Sequence, residues 1–131
     1  MKIYIDAAVK GNPGEAGIGV ICKDENENIV FKISKYIGKA TNNEAEYIAL
    51  IEALKEAKKR NFKNFKIYSD SKLIVNQVND NYKLRNRNLA KYYKEAKSLM
   101  SELEGVELIY ILREKNKEAD ILASNSAMLG K

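Results

Sequence analysis

Histidine is absent from this 131-residue chain. That excludes His-based catalytic triads, zinc–histidine sites and any imidazole proton shuttle. There is one cysteine, Cys22, so no intramolecular disulfide can form. Its setting, Val20-Ile21-Cys22, predicts a buried thiol that packs as a small hydrophobe. The only proline, Pro13, sits in Gly11-Asn12-Pro13-Gly14. No apolar run approaches membrane-spanning length, so no membrane partner is expected. The first residues run straight into a strand with no leader pattern, and a cytoplasmic location is the expectation. No repeat, low-complexity tract or linker interrupts the chain. Its length suits one domain spanning residues 1–131, large enough to bury a core without staples.

What is present is ordinary for a globular protein: 45% hydrophobic and 31% charged residues. Twenty-three Lys and Arg against 18 Asp and Glu give a net charge of +5 and a pI near 9.2. That balance permits a polyanionic partner without demanding one.

Ile3 to Val9 reads as an apolar strand, the Gly11–Gly14 segment as a turn, and Gly17 to Cys22 as a second strand. Pro13 and Gly14 suit the two central positions of a type II turn. After the polar Lys23–Asn28 turn, Ile29 to Ile37 alternates at Ile29, Phe31 and Ile33, a half-buried antiparallel strand. Thr41 and Glu44 have capping-box spacing, which predicts a helix from there to about Lys59. Phe65 to Ser69 is a short strand and Ser71 to about Asn79 a helix. Leu89 to Leu103 is a helix, Val106 to Leu112 a strand, and Lys117 to Met128 a last helix. The fold class is α/β: a five-stranded mixed sheet, with an antiparallel meander of three strands plus parallel strands, and helices on both faces. Crossovers through helices make the first, fourth and fifth strands parallel neighbours. Ligands in such sheets sit beyond the carboxyl ends of the parallel strands.

Asp6 is a lone acid inside an apolar strand, and an unpaired buried charge is costly. Three other acids are placed to join it. Asp70 ends the fourth strand, Glu46 lies in the first turn of the long helix on the border of its packed face, and Asp120 lies in the first turn of the last helix. Taken singly, Asp70 suits a helix cap, Glu46 a favourable charge at a helix N-terminus, and Asp120 a surface acid. Together, four carboxylates from four elements can meet at one end of the sheet, where they need cations to stay ionised. An all-oxygen set with open positions suits Mg²⁺ or Mn²⁺ rather than zinc. Two such ions can clamp a phosphodiester.

These acids stand in four motifs. They are Asp6-Ala7-Ala8 with Gly11-Asn12-Pro13-Gly14; Thr41-Asn42-Asn43-Glu44-Ala45-Glu46; Ser69-Asp70-Ser71; and Asn116 to Ala123, in the pattern Asn-x-x-x-Asp-x-Leu-Ala. In this order they resemble type 1 ribonuclease H (ribonuclease HI), and the resemblance covers nearly the whole chain. It implies a ribonuclease H-like fold and a metal-dependent endoribonuclease; a monomer is the expectation. Such an enzyme cleaves the RNA strand of RNA–DNA hybrids, leaving 5′-phosphate and 3′-hydroxyl ends. Asp6, Glu46, Asp70 and Asp120 match the family's catalytic, metal-binding acids. Asn12, Asn42, Asn43 and Ser71 match positions that touch the hybrid's minor groove, where uncharged groups read 2′-hydroxyls and shape. Thr41 matches a DNA phosphate contact, with Lys39 beside it. Capping also accounts for Asn42 and Asn43.

The chain departs from the family pattern in three places. The family's loop histidine has no counterpart; Arg113, in Leu112-Arg113-Glu114-Lys115-Asn116, occupies that region, as in a histidine-lacking branch. Arginine stays protonated, so its expected task is to hold phosphate or assist product departure; a surface pair with Glu114 is the alternative. Ala7 replaces a glycine. The tryptophan-bearing basic protrusion of some members is missing, and Lys83, Arg85, Arg87 and Lys91 offer either a small phosphate-contacting patch or a solvated face, with Tyr82, Tyr92 and Tyr93 packing. Three readings stay open: a hybrid-specific nuclease, a non-catalytic nucleic-acid-binding module, and a nuclease shifted to double-stranded RNA or RNA–DNA junctions.

Overall fold

The computed structural model describes residues 1–84 and 86–130. Arg85 of the basic run therefore lies outside the described residues. Strands β1 (Lys2–Gly11), β2 (Gly14–Lys23) and β3 (Ile29–Ala40) form the expected antiparallel meander. The first hairpin outruns its apolar signal because pairing continues through polar ends, with Lys10 opposite Glu15 and Gly11 opposite Gly14. The turn differs from the type II expectation. The Asn12–Pro13 peptide is cis and Gly14 already belongs to β2, so the central pair is Asn12–Pro13. Gly11, at φ +85°, supplies the left-handed residue that enters it.

Helix α1 (Asn42–Lys59) opens on a complete capping box. Thr41 Oγ1 accepts from the Glu44 N–H at 3.2 Å, and Glu44 Oε1 accepts from the Thr41 N–H at 2.8 Å. Strand β4 (Phe65–Ser69) is followed by α2 (Lys72–Val78), α3 (Arg87–Ser101), β5 (Val106–Tyr110), a 3₁₀ turn (Arg113–Lys115) and α4 (Lys117–Ala127). Helix α3 begins before Leu89 because Asn86 caps it, its Oδ1 accepting from the Asn88 N–H at 2.8 Å. Strand β5 stops at Tyr110 rather than Leu112 because its partner ends there: Ser69 pairs with Tyr110 and is the last residue of β4.

The strand order is β3-β2-β1-β4-β5, with β1, β4 and β5 parallel. Helix α1 packs on β1 and β2 with α3 against its flank, and α4 covers the other face of β1, β2 and β3. Between sheet and α1 lies an apolar core that includes Ile3, Ile5, Ile67, Leu50 and Leu54. Cys22 is buried, and burial pushes its thiol pKa up to about 11, so it packs rather than reacts. Two packing expectations fail. Ile29 is 50% exposed because it starts β3 at the sheet's edge, and Tyr82 is 46% exposed in the segment between α2 and α3. Tyr92 and Tyr93 do pack against the core. Among the described residues no helix is long and apolar enough to cross a membrane.

The glycines of Gly17-Ile18-Gly19 explain how α4 reaches its place. A Cβ at Gly19 would stand 2.2 Å from the Ala119 carbonyl oxygen and 2.7 Å from the Ala123 nitrogen. One at Gly17 would stand 2.1 Å from Ser126 Oγ. Backbone therefore lies against backbone, and Ser126 Oγ donates to the Ile18 carbonyl at 3.2 Å. This approach brings the first turn of α4, with Asp120, onto β1. Gly19→Ala must push α4 away, and we expect a loss of about 1–3 kcal/mol of stability in denaturant unfolding. Unfolding unchanged from the parent would contradict the close approach.

Candidate active site

The parallel ladder of β1 and β4 runs from Lys2 opposite Lys66 to Ile5 opposite Ser69 and stops. Asp6 and Asp70 are the next residues, one on each strand, where the two chains part. Asp6 is only 5% exposed, and its Oδ1 accepts from the Ala7 N–H at 2.9 Å. Asp70 is half-buried and does not cap α2; Ser71 does, with Oγ accepting from the Ile74 N–H at 3.4 Å. The capping alternative for Asp70 is thereby removed. Glu46 lies one residue past the first turn of α1 rather than within it, because the helix already begins at Asn42; it sits between buried Ala45 and Tyr47, at 6% exposure. The Tyr47 hydroxyl donates to Gln77 Oε1 at 2.7 Å, tying α1 to α2 inside the core.

One oxygen from each of Asp6, Glu46 and Asp70 lies within 4.8 Å of the others. Asp120 stands at the flank of this trio, outside the tight group, yet its charge raises the pKa of both Asp6 and Asp70. The four acids expected to converge do so as three plus one.

Burial and mutual repulsion dominate the electrostatics. Asp6 is pushed up from 3.8 to about 7, first by burial and then by the charge of Asp70, with the Ala7 N–H opposing. Glu46 is raised well above the usual range by burial and by Asp6 and Asp70. Asp70 is raised by burial, and the Asn116 amide and the Arg113 guanidinium hold it back. Glu46 Oε1 is buried without a hydrogen-bond partner. An orphaned carboxylate oxygen beside two further carboxylates fits a hard divalent cation, which would satisfy the oxygen and reverse the sign of the local field.

The trio opens into a cavity of 230 Å³ that Ala7, Asn42, Ser71 and Arg113 also line. Arg113 therefore faces the acids, and its charge lowers the pKa of Glu46 as well as Asp70. No ion pair joins it to Glu114 among the described residues. Asn12 Oδ1 accepts from the Asn42 N–H at 2.9 Å, fastening the β1–β2 turn to the start of α1. Thr41 caps that helix, Asn43 is half-buried, and Lys39 is exposed near the end of β3, away from the cavity lining. Lys83, Arg87 and Lys91 are exposed around the start of α3, with Lys91 Nζ 5.0 Å from the ring centre of its neighbour Tyr92.

One site residue escaped the sequence reading except as a motif letter. Asn116 is 1% exposed, and its Nδ2 donates to the Ile5 carbonyl at 2.8 Å and to Asp70 Oδ2 at 3.2 Å. Its place four residues before Asp120 was the available signal.

The raised Asp6 pKa has a testable sign. Without metal, folded Asp6 keeps its proton to about pH 7, whereas the unfolded chain loses it near 3.8. The folded state then binds more protons between those values, so the Asp6 contribution to stability falls as pH rises through that window and is flat above it. Asp6→Asn is expected to melt higher than the parent at pH 8 without metal, with the gap shrinking toward pH 4. Equal melting temperatures at both pH values would rule out a buried, repelled carboxylate.

The comparisons with known proteins agree with this geometry. The reverse transcriptase-like family matches residues 4–126. A "Bifunctional protein" of Mycobacterium tuberculosis is 36% identical over 129 residues, covering 96% of this chain and 35% of that protein. This chain thus spans about a third of the length of its mycobacterial relatives. The crystal structure of RNase H1 from Halobacterium salinarum superposes with a TM-score of 0.91 at 32% identity, covering 95% of each chain. LC11-RNase H1, isolated from compost, was solved in complex with an RNA/DNA hybrid. It superposes at 0.91 with 35% identity, covering 98% of this chain and 96% of that one. With its acids, its sheet order and these relatives in accord, the chain belongs to the type 1 ribonuclease H family.

Proposed function

We propose that this chain is a metal-dependent endoribonuclease that hydrolyses the RNA strand of RNA–DNA hybrids. The observation that carries the reading is the trio Asp6, Glu46 and Asp70, with its orphaned Glu46 oxygen, opening into a cavity edged by uncharged polar side chains. The four acids, Asp120 included, hold Mg²⁺, with Mn²⁺ as a substitute. Bound there, divalent cations supply Lewis-acid polarisation of the phosphodiester and lower the pKa of the attacking water.

The chain's own residues orient the substrate. Asn12, Asn42, Asn43 and Ser71 offer neutral donors and acceptors to 2′-hydroxyls and groove edges, which favours RNA recognition by shape over sequence. The Asn12–Asn42 bond fixes two of these groups relative to each other. Thr41 and Lys39 take phosphates of the DNA strand. Arg113 holds a permanent positive charge beside the acids, suited to the scissile or departing phosphate. It does no proton transfer, because guanidinium does not titrate in this range. The net charge of +5 supplies a long-range, salt-sensitive attraction to the duplex. A monomer acting in the cytoplasm completes the reading.

The test uses labelled hybrid, double-stranded RNA and double-stranded DNA with Mg²⁺ or Mn²⁺, beside Asp70→Asn. The expected result is metal-dependent cutting of the RNA strand of the hybrid, with 5′-phosphate ends. Asp70→Asn should lose more than about 100-fold in rate, beyond the span typical of residues that only surround a metal site. Cutting of double-stranded RNA alone would shift the substrate class. Binding of all duplexes with no cutting would leave a nucleic-acid-binding module in place of an enzyme.

A further inference from the structure

We infer that Asn116 is a positioning residue that sets three of the four acids in register, and that cation affinity depends on its amide. The inference rests on the reading of the acids as a cation site and adds the group that builds it. Asn116 occupies the fork left where the β1–β4 ladder stops. One Nδ2 hydrogen goes to the Ile5 carbonyl, the residue before Asp6; the other goes to Asp70 Oδ2 itself. The Asn116 carbonyl accepts from the Asp120 N–H at 3.1 Å in the first turn of α4. The segments bearing Asp6, Asp70 and Asp120 therefore meet on one residue. Glu46 alone arrives independently, on α1.

Two further observations separate this role from ordinary structure. Asparagine at the start of a helix commonly caps it through Oδ1. Asn116 is the N-cap of α4 and makes no such bond. Its side chain is turned from the helix it begins toward the carboxylates. The amide's direction is also fixed by chemistry. Reversing it would set Oδ1 against a carbonyl and a carboxylate, two acceptors with no proton to share. The orientation kept leaves Oδ1 buried and unpartnered, so the cost of that orphan is accepted where the two donors are used. Groups that hydrogen-bond a metal's ligands orient them, and their loss commonly lowers metal affinity or activity by ~10–100-fold.

The test compares the parent, Asn116→Leu and Asn79→Ala. Leucine fills nearly the same space without a donor. Asn79 is a control for a side-chain amide bond to a strand far from the acids: it is exposed, and its Nδ2 donates to the Leu108 carbonyl at 3.0 Å. Mn²⁺ binding is read by calorimetry, and kcat and KM are read on labelled hybrid. Asn116→Leu is expected to bind Mn²⁺ ~10–100-fold more weakly, with kcat reduced and KM for hybrid held. Asn79→Ala should keep the parent's Mn²⁺ affinity even where its melting temperature falls. If Asn116→Leu does not fold, Asn116→Ser, which can donate one bond, takes its place with an intermediate loss expected. Mn²⁺ affinity equal to the parent's in the folded Asn116 variant overturns the inference and leaves the cation site standing. Failure of the parent itself to bind Mn²⁺ overturns both.

Discussion

Like charges placed in a buried space are the constraint on which the rest of this structure depends. Asp6, Glu46 and Asp70 crowd within 4.8 Å, where their own repulsion and burial push protons back onto them. Nothing in the core needs such a group, and a fold selected for stability alone would not assemble it. The surrounding architecture reads as the means of holding the acids together. The β1–β4 ladder ends one residue short of the two aspartates. The capping box fixes where α1 starts and so where Glu46 lies. Bare glycines on β2 let α4 approach until Asp120 joins the flank.

The groups that favour ionisation of the trio are the Arg113 charge and two neutral donors, the Asn116 amide and the Ala7 N–H. None of them satisfies the orphaned Glu46 oxygen. With histidine absent, no neutral base near pH 7 is supplied by imidazole. In the proposed hydrolysis the chain would contribute a prepared field and an oriented substrate, and the arginine a fixed charge that does not vary with pH in the physiological range.

Much of this was legible in the sequence. Hydrophobic period and crossover handedness predicted the sheet order, because β1, β4 and β5 are separated by helix-length connections that force parallel pairing. Thr41 and Glu44 announced α1 through a local, reciprocal bond that depends on spacing alone. The four acids were visible because each sits where its element begins, ends or is otherwise apolar. What was hidden depends on contact between distant segments. The bonds of Asn116 span 111 and 46 residues of chain. The closeness of α4 to Gly17 and Gly19 is likewise a tertiary fact; in sequence those glycines read only as the start of the second strand. The hairpin's central pair is Asn12–Pro13 rather than Pro13–Gly14 because strand pairing runs on to Gly11 opposite Gly14, past the apolar residues that mark the strands in sequence. Among the residues proposed to face the hybrid, Asn42 and Ser71 line the acidic cavity with Arg113, while Lys39 stands apart from it.

The central claim is that the acid trio is a divalent-cation site. Anomalous diffraction from crystals soaked in Mn²⁺ tests it most directly. The account predicts a peak among the carboxylates of Asp6, Glu46 and Asp70, with Glu46 Oε1 among its ligands. An empty trio at saturating Mn²⁺, with manganese found elsewhere or nowhere, would contradict it.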